Sequence, residues 1–290
     1  MNSNPLCLLL QSHGSQNAAQ YRRNLKDLIQ KLCLLGLWRG SFFEHAAFYG
    51  GTALSMLYGL DRFSEDLDFS LLKEKPEFSL RPYLDYVGRE LEAWGIQATM
   101  DISAKKDSCI ESAFIKTNTL KTLINLQVPF SDIKSLHRDE ICSVKFEIDP
   151  HPPCEFDSEI SYILEPLPFG VRVMSISDLF AGKMHAVLAR NWKTRVKGRD
   201  WYDLIWFVSR GISLNLRHLE ARLIQSGHFD PEKSLKPNTF SEILKDRIRQ
   251  IDFNQAKEDV LPFIPNASAI ESWSGNFFMS LVERIQVQLG

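Results

Sequence analysis

Two stretches of the chain carry residues suited to phosphate and metal chemistry. They are Gly50-Gly51-Thr52-Ala53-Leu54 and Arg62-Phe63-Ser64-Glu65-Asp66-Leu67-Asp68-Phe69. Two successive glycines let a backbone come close to a bulky anion, and the N–H groups opening the short helix that follows can cradle phosphate. Asp66 and Asp68 stand two apart in a segment that alternates as a strand does, so their carboxylates leave one face. Charges placed that close repel unless a divalent cation lies between them. Hard oxygen ligands on a partly open site are what Mg²⁺ prefers when it also holds phosphates. A third carboxylate from a neighbouring strand would complete a site for two metal ions about 3.5–4 Å apart. Phe146-Glu147-Ile148-Asp149, an apolar strand with outward acids, offers a candidate. A lone Asp-x-Asp or a lone Gly-Gly says little. Here the two lie 15 residues apart with a short helix between them, which is far more specific.

A second group lies further along. Lys183 and Arg190 are seven apart and share a helix face, where two cations could hold a triphosphate. Asp200 and Asp203 are three apart on the next helix, opposite the apolar set Trp201, Leu204, Ile205 and Val208. They could orient the basic groups or position an acceptor. Equally, the group reads as a solvated ion-pair network, worth about 0–1 kcal/mol per exposed pair. Trp192, among Lys and Arg, could stack on bases, whereas Trp201 and Trp206 read as core. His185 reads as packing or a phosphate contact rather than an acid–base group. Ser64 and Ser70 have no histidine nearby in sequence, so nothing supports a serine hydrolase.

These residues need a scaffold, and the periodicities supply one. An amphipathic helix is expected over Asn17 to Leu37, from Leu25, Leu28, Ile29, Leu32 and Leu35. Ala46 to Tyr49 reads as a short strand, Thr52 as the cap of a brief helix, and Asp66 to Leu72 as a strand. A helix follows over Leu80 to Trp94. Strand-like stretches are expected over Ile96 to Ile102, Ile110 to Thr117, Thr119 to Val128 and Ser143 to Asp149. Prolines at 150, 152, 153, 166 and 168 break the chain. Beyond them a Ser175-x-x-Asp178 capping box introduces a helix over Leu179 to Asn191. Further helices are expected over Asp200 to Ser209, Asn215 to Gln225, Ser241 to Arg249 and Ala269 to Gln288. The class is α+β: a mixed β-sheet flanked by helices over residues 1–168, then a helical bundle over 169–290.

Composition narrows the field. The 290 residues are 44% hydrophobic and 24% charged, which excludes disordered and fibrous classes. No apolar run nears the roughly 18 residues of a membrane span, and Leu6 to Leu10 lacks the flanks of a signal peptide, so a cytoplasmic protein is expected. The five cysteines (7, 33, 109, 142 and 154) are scattered without a C-x-x-C, and the seven histidines are equally dispersed. Neither a disulfide framework nor a zinc site is indicated, so any metal would be held by oxygen. The net charge of −2 argues against a coat of nucleic acid. Locally, however, Lys183 to Asp200 holds six basic residues (183, 190, 193, 195, 197 and 199) against one acid.

Gly50 to Leu54 and Arg62 to Phe69 resemble the signature of the AbiEii/AbiGii toxin family of nucleotidyltransferases, within the polymerase-β-like superfamily. Lys183-Met184-His185-Ala186, Arg190 and Arg199-Asp200-Trp201-Tyr202-Asp203-Leu204 resemble the family's lysine helix and its Arg-Asp-x-x-Asp helix, so the likeness runs from about Tyr49 to Leu204. The resemblance implies a nucleotidyltransferase-fold N-terminal domain with the active site in the groove beside the helical domain. It implies that Asp66, Asp68 and Glu147 bind Mg²⁺, with Asp149 the rival for the third place. It further implies that Gly50, Gly51, Thr52, Ser64, Lys183, Arg190, Asp200 and Asp203 serve the nucleotide, with Lys183 also catalytic. The implied reaction moves NMP from an NTP to RNA, a tRNA 3′ end foremost, in a toxin countered by a cognate antitoxin. Transfer to a small molecule or a protein, and a non-catalytic nucleotide-binding module, are the alternatives. The basic run tilts against the former, and intact Asp66, Asp68 and Lys183 against the latter.

Overall fold

A computed structural model of the chain describes residues 4–75, 77–103, 111–153, 156–190 and 196–289. Cys109, Cys154, Trp192, Lys193 and Arg195, singled out above, lie outside the described residues. The elements begin with α1 (Pro5–Ser12), α2 (Ala18–Arg39), β1 (Ala46–Tyr49), α3 (Gly50–Tyr58) and β2 (Asp66–Leu71). Next come α4 (Arg81–Ala93), β3 (Thr99–Ser103), β4 (Glu111–Asn118), α5 (Thr119–Asn125) and α6 (Phe130–Ile133). Three strands follow: β5 (Ile141–Asp149), β6 (Ser158–Ile163) and β7 (Phe169–Met174). The rest comprises α7 (Ile176–Ala189), α8 (Gly198–Ser209), β8 (Leu214–Asn215), α9 (Leu216–Gln225), α10 (Pro237–Arg249), α11 (Phe253–Val260), α12 (Gly275–Val282) and β9 (Val287–Gln288). No described helix is long and apolar enough to cross a membrane.

The chain divides into two compact units. The first takes Met1–Tyr49, Glu65–Pro152 and Ile160–Val173; the second takes Gly50–Ser64, Pro153–Glu159 and Met174–Gly290.

The first unit is built on a mixed seven-stranded sheet of order β3-β4-β5-β2-β1-β7-β6. β2 runs parallel to β5 and antiparallel to β1, while β4 runs antiparallel to both β3 and β5. Alternation sends Leu67, Phe69, Val144, Phe146 and Ile148 into the core, and all five are fully buried. Phe42, from the turn before β1, meets the Phe69 ring edge-on at 4.9 Å and the Tyr83 ring of α4 at 5.1 Å. All five apolar positions that defined α2 are buried. At Gly36 the helix comes so close to α4 that a Cβ would stand 2.6 Å from the Val87 Cα. That approach keeps the helical layer tight against the carboxylate-bearing strands.

One expected strand in this unit is a helix. Thr119 to Val128 is rich in β-branched residues, yet Thr119–Asn125 is α5, with the Asn118 side chain accepting from the Lys121 N–H as its cap. Thr119, Thr122, Leu123 and Leu126 are buried at helical spacing, so tertiary packing overrides strand propensity.

In the second unit the Ser175 capping box forms as expected: the Ser175 side chain accepts from the Asp178 N–H and opens α7. Gly198 permits a closer contact. A Cβ there would lie 1.8 Å from the Ala256 carbonyl oxygen, and the Gly198 N–H donates to Asp259 at 3.0 Å. Only glycine lets the start of α8 sit against α11 this way. Trp201 and Trp206 belong to the core as read, with Trp201 edge-on to Phe278 at 5.0 Å. The helix expected over Ala269 to Gln288 is shorter. A 3-10 turn (Ala267–Ile270) precedes α12, whose cap is Ser274, and β9 pairs in parallel with β8 beyond it. Ser274-Gly275 divides what apolar spacing alone had joined.

Candidate active site

In the first unit, β2 and β5 present one polar face. Their parallel register sets Asp66 beside Lys145, Asp68 beside Glu147, and Ser70 beside Asp149. Glu147 thus stands opposite an aspartate, whereas the rival Asp149 stands opposite a fully buried serine and accepts from the His151 N–H at 3.0 Å. Tyr49 pairs with Asp68 from the other side, and Gly50 follows Tyr49 directly in the chain. Lys145, which the sequence reading passed over, bonds through Nζ to Glu147 Oε1. An i, i+2 spacing on a strand was the available signal. Burial, and then the negative charge of Glu147, raise the Asp66 carboxyl above its ordinary range, while Lys145 and Lys26 oppose the shift.

Among the described residues no three His, Cys, Asp or Glu side chains gather closely enough to grip a metal as they stand. The donor chemistry nevertheless fits one: two half-buried carboxylates on one strand, a third across the register, and an Asp66 carboxyl that burial and the charge of Glu147 raise. Such all-oxygen sets suit Mg²⁺ rather than a soft metal.

In the second unit, acids and bases form a chain of contacts. Asp203 is fully buried and accepts from Arg62 Nε at 2.6 Å and Nη2 at 2.7 Å. Lys183 Nζ lies 2.9 Å from the same carboxylate and 4.0 Å from Asp200. Asp200, 3% exposed, also accepts from Arg190 Nη1 at 2.7 Å. The network is therefore largely buried, which corrects the solvated alternative. Burial penalises the Asp203 charge, but Arg62 and then Lys183 overcome it and hold the carboxyl below its ordinary range. Tyr202, also on α8, donates to Asp61 at 2.8 Å and so secures the loop that carries Arg62.

Gly50 adopts φ +82°, a conformation that favours glycine, as α3 begins. Thr52 is buried in the first turn of that helix. A Cβ at Gly51 would stand 2.8 Å from both Arg62 Nη2 and Ser64 Oγ. Arg62, 3% exposed and doubly bonded to Asp203, cannot yield. Gly51→Ala is accordingly expected to cost about 1–3 kcal/mol of stability and to lower activity beyond that loss. Thermal unfolding and initial rates on the same preparation check it, and a variant with wild-type values for both would show that Gly51 has room to spare.

The structure thus gathers Asp66, Asp68 and Glu147 on one face in the first unit. Gly51, Ser64, Lys183, Arg190, Asp200 and Asp203 are linked through or beside Arg62 and its partners in the second. Arg62 itself was quoted only as part of a motif; its partner stands 141 residues away and no local pattern reveals it. Other residues are elsewhere engaged. Arg199 lies over the Phe263 ring at 4.2 Å. His185 pairs with Ser226 at 2.9 Å, and burial followed by the charge of Arg222 lowers its imidazole to about 4, so it is neutral near pH 7.

A mixed sheet bearing paired carboxylates, joined to a helical unit with buried cations, has the parts of a nucleotidyl-transferring enzyme. Residues 32–276 match the family model for "Nucleotidyl transferase AbiEii toxin, Type IV TA system", so the chain belongs to that family and is a nucleotidyltransferase. The solved structures similar to it include two from Helicobacter pylori. One is provisionally described as a nucleotidyltransferase (21% identity, TM-score 0.46, 90% of this chain and 89% of the other). The second is JHP933 (21% identity, TM-score 0.45, 90% and 86%). No curated protein matches the sequence significantly.

Proposed function

We propose that this nucleotidyltransferase transfers NMP from an NTP to an RNA acceptor, a tRNA 3′ end foremost, as the toxin partnered by a cognate antitoxin in the cytoplasm. The observation that carries the reading is the register that sets Glu147 against Asp68, two register positions from Asp66 and on the same face. Asp66, Asp68 and Glu147 would hold Mg²⁺, as one ion or two. When bound, it supplies charge neutralisation to the oxygens around the reacting phosphorus. Lys183, steadied by Asp203, neutralises phosphate charge, and Gly51, Thr52 and Ser64 receive phosphate oxygens at the start of α3. Gly50 provides the turn. Arg190 completes the cationic set, and Asp200, which accepts from it, orients it.

In the reaction an acceptor hydroxyl oxygen bonds to the α-phosphorus. The bond from that phosphorus to the bridging oxygen breaks, pyrophosphate departs with its electron pair, and the hydroxyl proton passes to solvent. The test incubates the protein with Mg²⁺, each α-labelled NTP in turn and total RNA. Label in an RNA band, lost with EDTA, is the expected result. Label confined to protein or to a small molecule would overturn the RNA acceptor, and no label with any NTP would overturn the activity.

A further inference from the structure

The carboxylate face extends past β5. β4 lies antiparallel to β5 with Ser112 beside Glu147 and Phe114 beside Lys145. Asp66, Lys145 and Phe114 therefore form one row across three neighbouring strands, and Asp101 of β3 continues it. At the usual strand spacing, Phe114 stands about 10 Å from Asp66 along that row. Its neighbours in sequence, Ala113 and Ile115, point the other way and are fully buried, so the core does not require this ring.

Phe114 is an aromatic ring among Asp, Glu, Ser and Lys, and it is flanked by cations. Lys116 Nζ lies 5.7 Å from the ring centroid and Lys145 Nζ 6.0 Å. Lys116, itself half-buried, is held by the more exposed Asp101 at 2.7 Å. A flat ring with two separate ammonium groups close by is the combination by which single-stranded nucleic acid is bound: the base stacks and the cations meet the backbone. A triphosphate concentrates its charge at one end. The two single ammoniums near Phe114, one from β4 and one from β5, better match phosphodiesters spaced along a strand.

We infer that Phe114, with Lys116 and Lys145, is a stacking platform for the 3′-terminal nucleotide of a single-stranded RNA acceptor. The inference rests on the RNA-transfer reading above and names the surface that receives the RNA. Lys145 links the two roles, because the side chain that bonds Glu147 also flanks the ring.

The probe is a short single-stranded RNA carrying 2-aminopurine at its 3′ end, whose fluorescence falls when the base stacks. Binding is measured for the wild type, Phe114→Ala and Phe114→Trp, with thermal unfolding to confirm that each variant is folded. Phe114→Ala is expected to weaken RNA binding roughly tenfold and abolish the fluorescence change. Phe114→Trp restores both, and NTP affinity stays within about twofold of wild type in each. RNA affinity and quenching unaltered in Phe114→Ala would overturn the platform. So would an equal loss of NTP affinity, which would assign the ring to the incoming nucleotide, and so would a wild type that does not bind the RNA. Asp68→Asn separates this from the reaction: quenched RNA binding without transfer is the expected result. If label goes only to protein while RNA still stacks on Phe114, the transfer reading fails and the platform stands.

Discussion

Asp68→Ala and Asp66→Ala are each expected to lower label transfer roughly a thousandfold, because several kcal/mol of charge stabilisation disappears with one ligand. The fold should survive, since both side chains leave the half-buried face of β2 and the core lies behind them. Asp66 allows a sharper test. Burial and Glu147 raise its carboxyl in the folded protein, so the fold favours the protonated form. Stability linked to this group is fully present below the ordinary carboxylate range and declines as pH rises through the raised folded value. Asp66→Asn removes that penalty. Its thermal midpoint without Mg²⁺ should therefore exceed wild type near neutral pH and converge with it in acid. Added Mg²⁺ should raise the midpoint of the wild type but not of the variant. Near-normal transfer by either alanine variant would refute the carboxylate assignment, and an equal Mg²⁺ shift in Asp66→Asn would place the ion elsewhere.

Asp203→Asn should be the most destabilising single change in the second unit. It leaves Arg62, 3% exposed, and Lys183 without the carboxylate that both contact. Breaking a buried pair in this way costs about 3–5 kcal/mol. The pH dependence has a definite sign. Because Arg62 and Lys183 hold the Asp203 carboxyl below its ordinary range, its contribution is present above that range and is lost as pH falls through the lowered folded value. The gap between wild type and variant should therefore shrink in acid. Denaturant titrations at neutral and acidic pH measure it. A gap under 1 kcal/mol at neutral pH, or one that widens in acid, would show that the pair contributes little. Activity should fall further than the folded fraction does, since Lys183 loses the partner that fixes its position.

Much of this was legible in the sequence. Strict alternation in Asp66-Leu67-Asp68-Phe69 and in Val144 to Ile148 marks both a buried and a polar face, and β2 and β5 carry them. Side-chain period alone cannot say which strands become neighbours. The pairing of Asp68 with Glu147 therefore appears only in the fold. Thr119 to Val128 misled because β-branched residues favour strands where no cap competes, and the Asn118 cap was overlooked. β6 and β7 went unread among the prolines around them: the exposure pattern of β6 is irregular, whereas β7 alternates but is only six residues long. The Arg62–Asp203 bond left no trace at all. It depends on two residues 141 positions apart, and although each lies in a motif singled out above, nothing local pairs one with the other.

That separation matters while the chain is being made. Arg62 is made long before Asp203 exists, and at about 5–20 residues per second the delay is roughly seven to thirty seconds. During that time Gly50–Ser64 belongs to a unit whose remaining segments are still unsynthesised. A nascent or prematurely ended chain that stops short of residue 183 carries Asp66 and Asp68, yet it has neither Lys183 nor the carboxylate that steadies it. On the proposed roles, the set of site residues is thus completed late in synthesis. If Lys183 has the role proposed above, a cell producing this enzyme meets transferase activity only from chains read well past their middle.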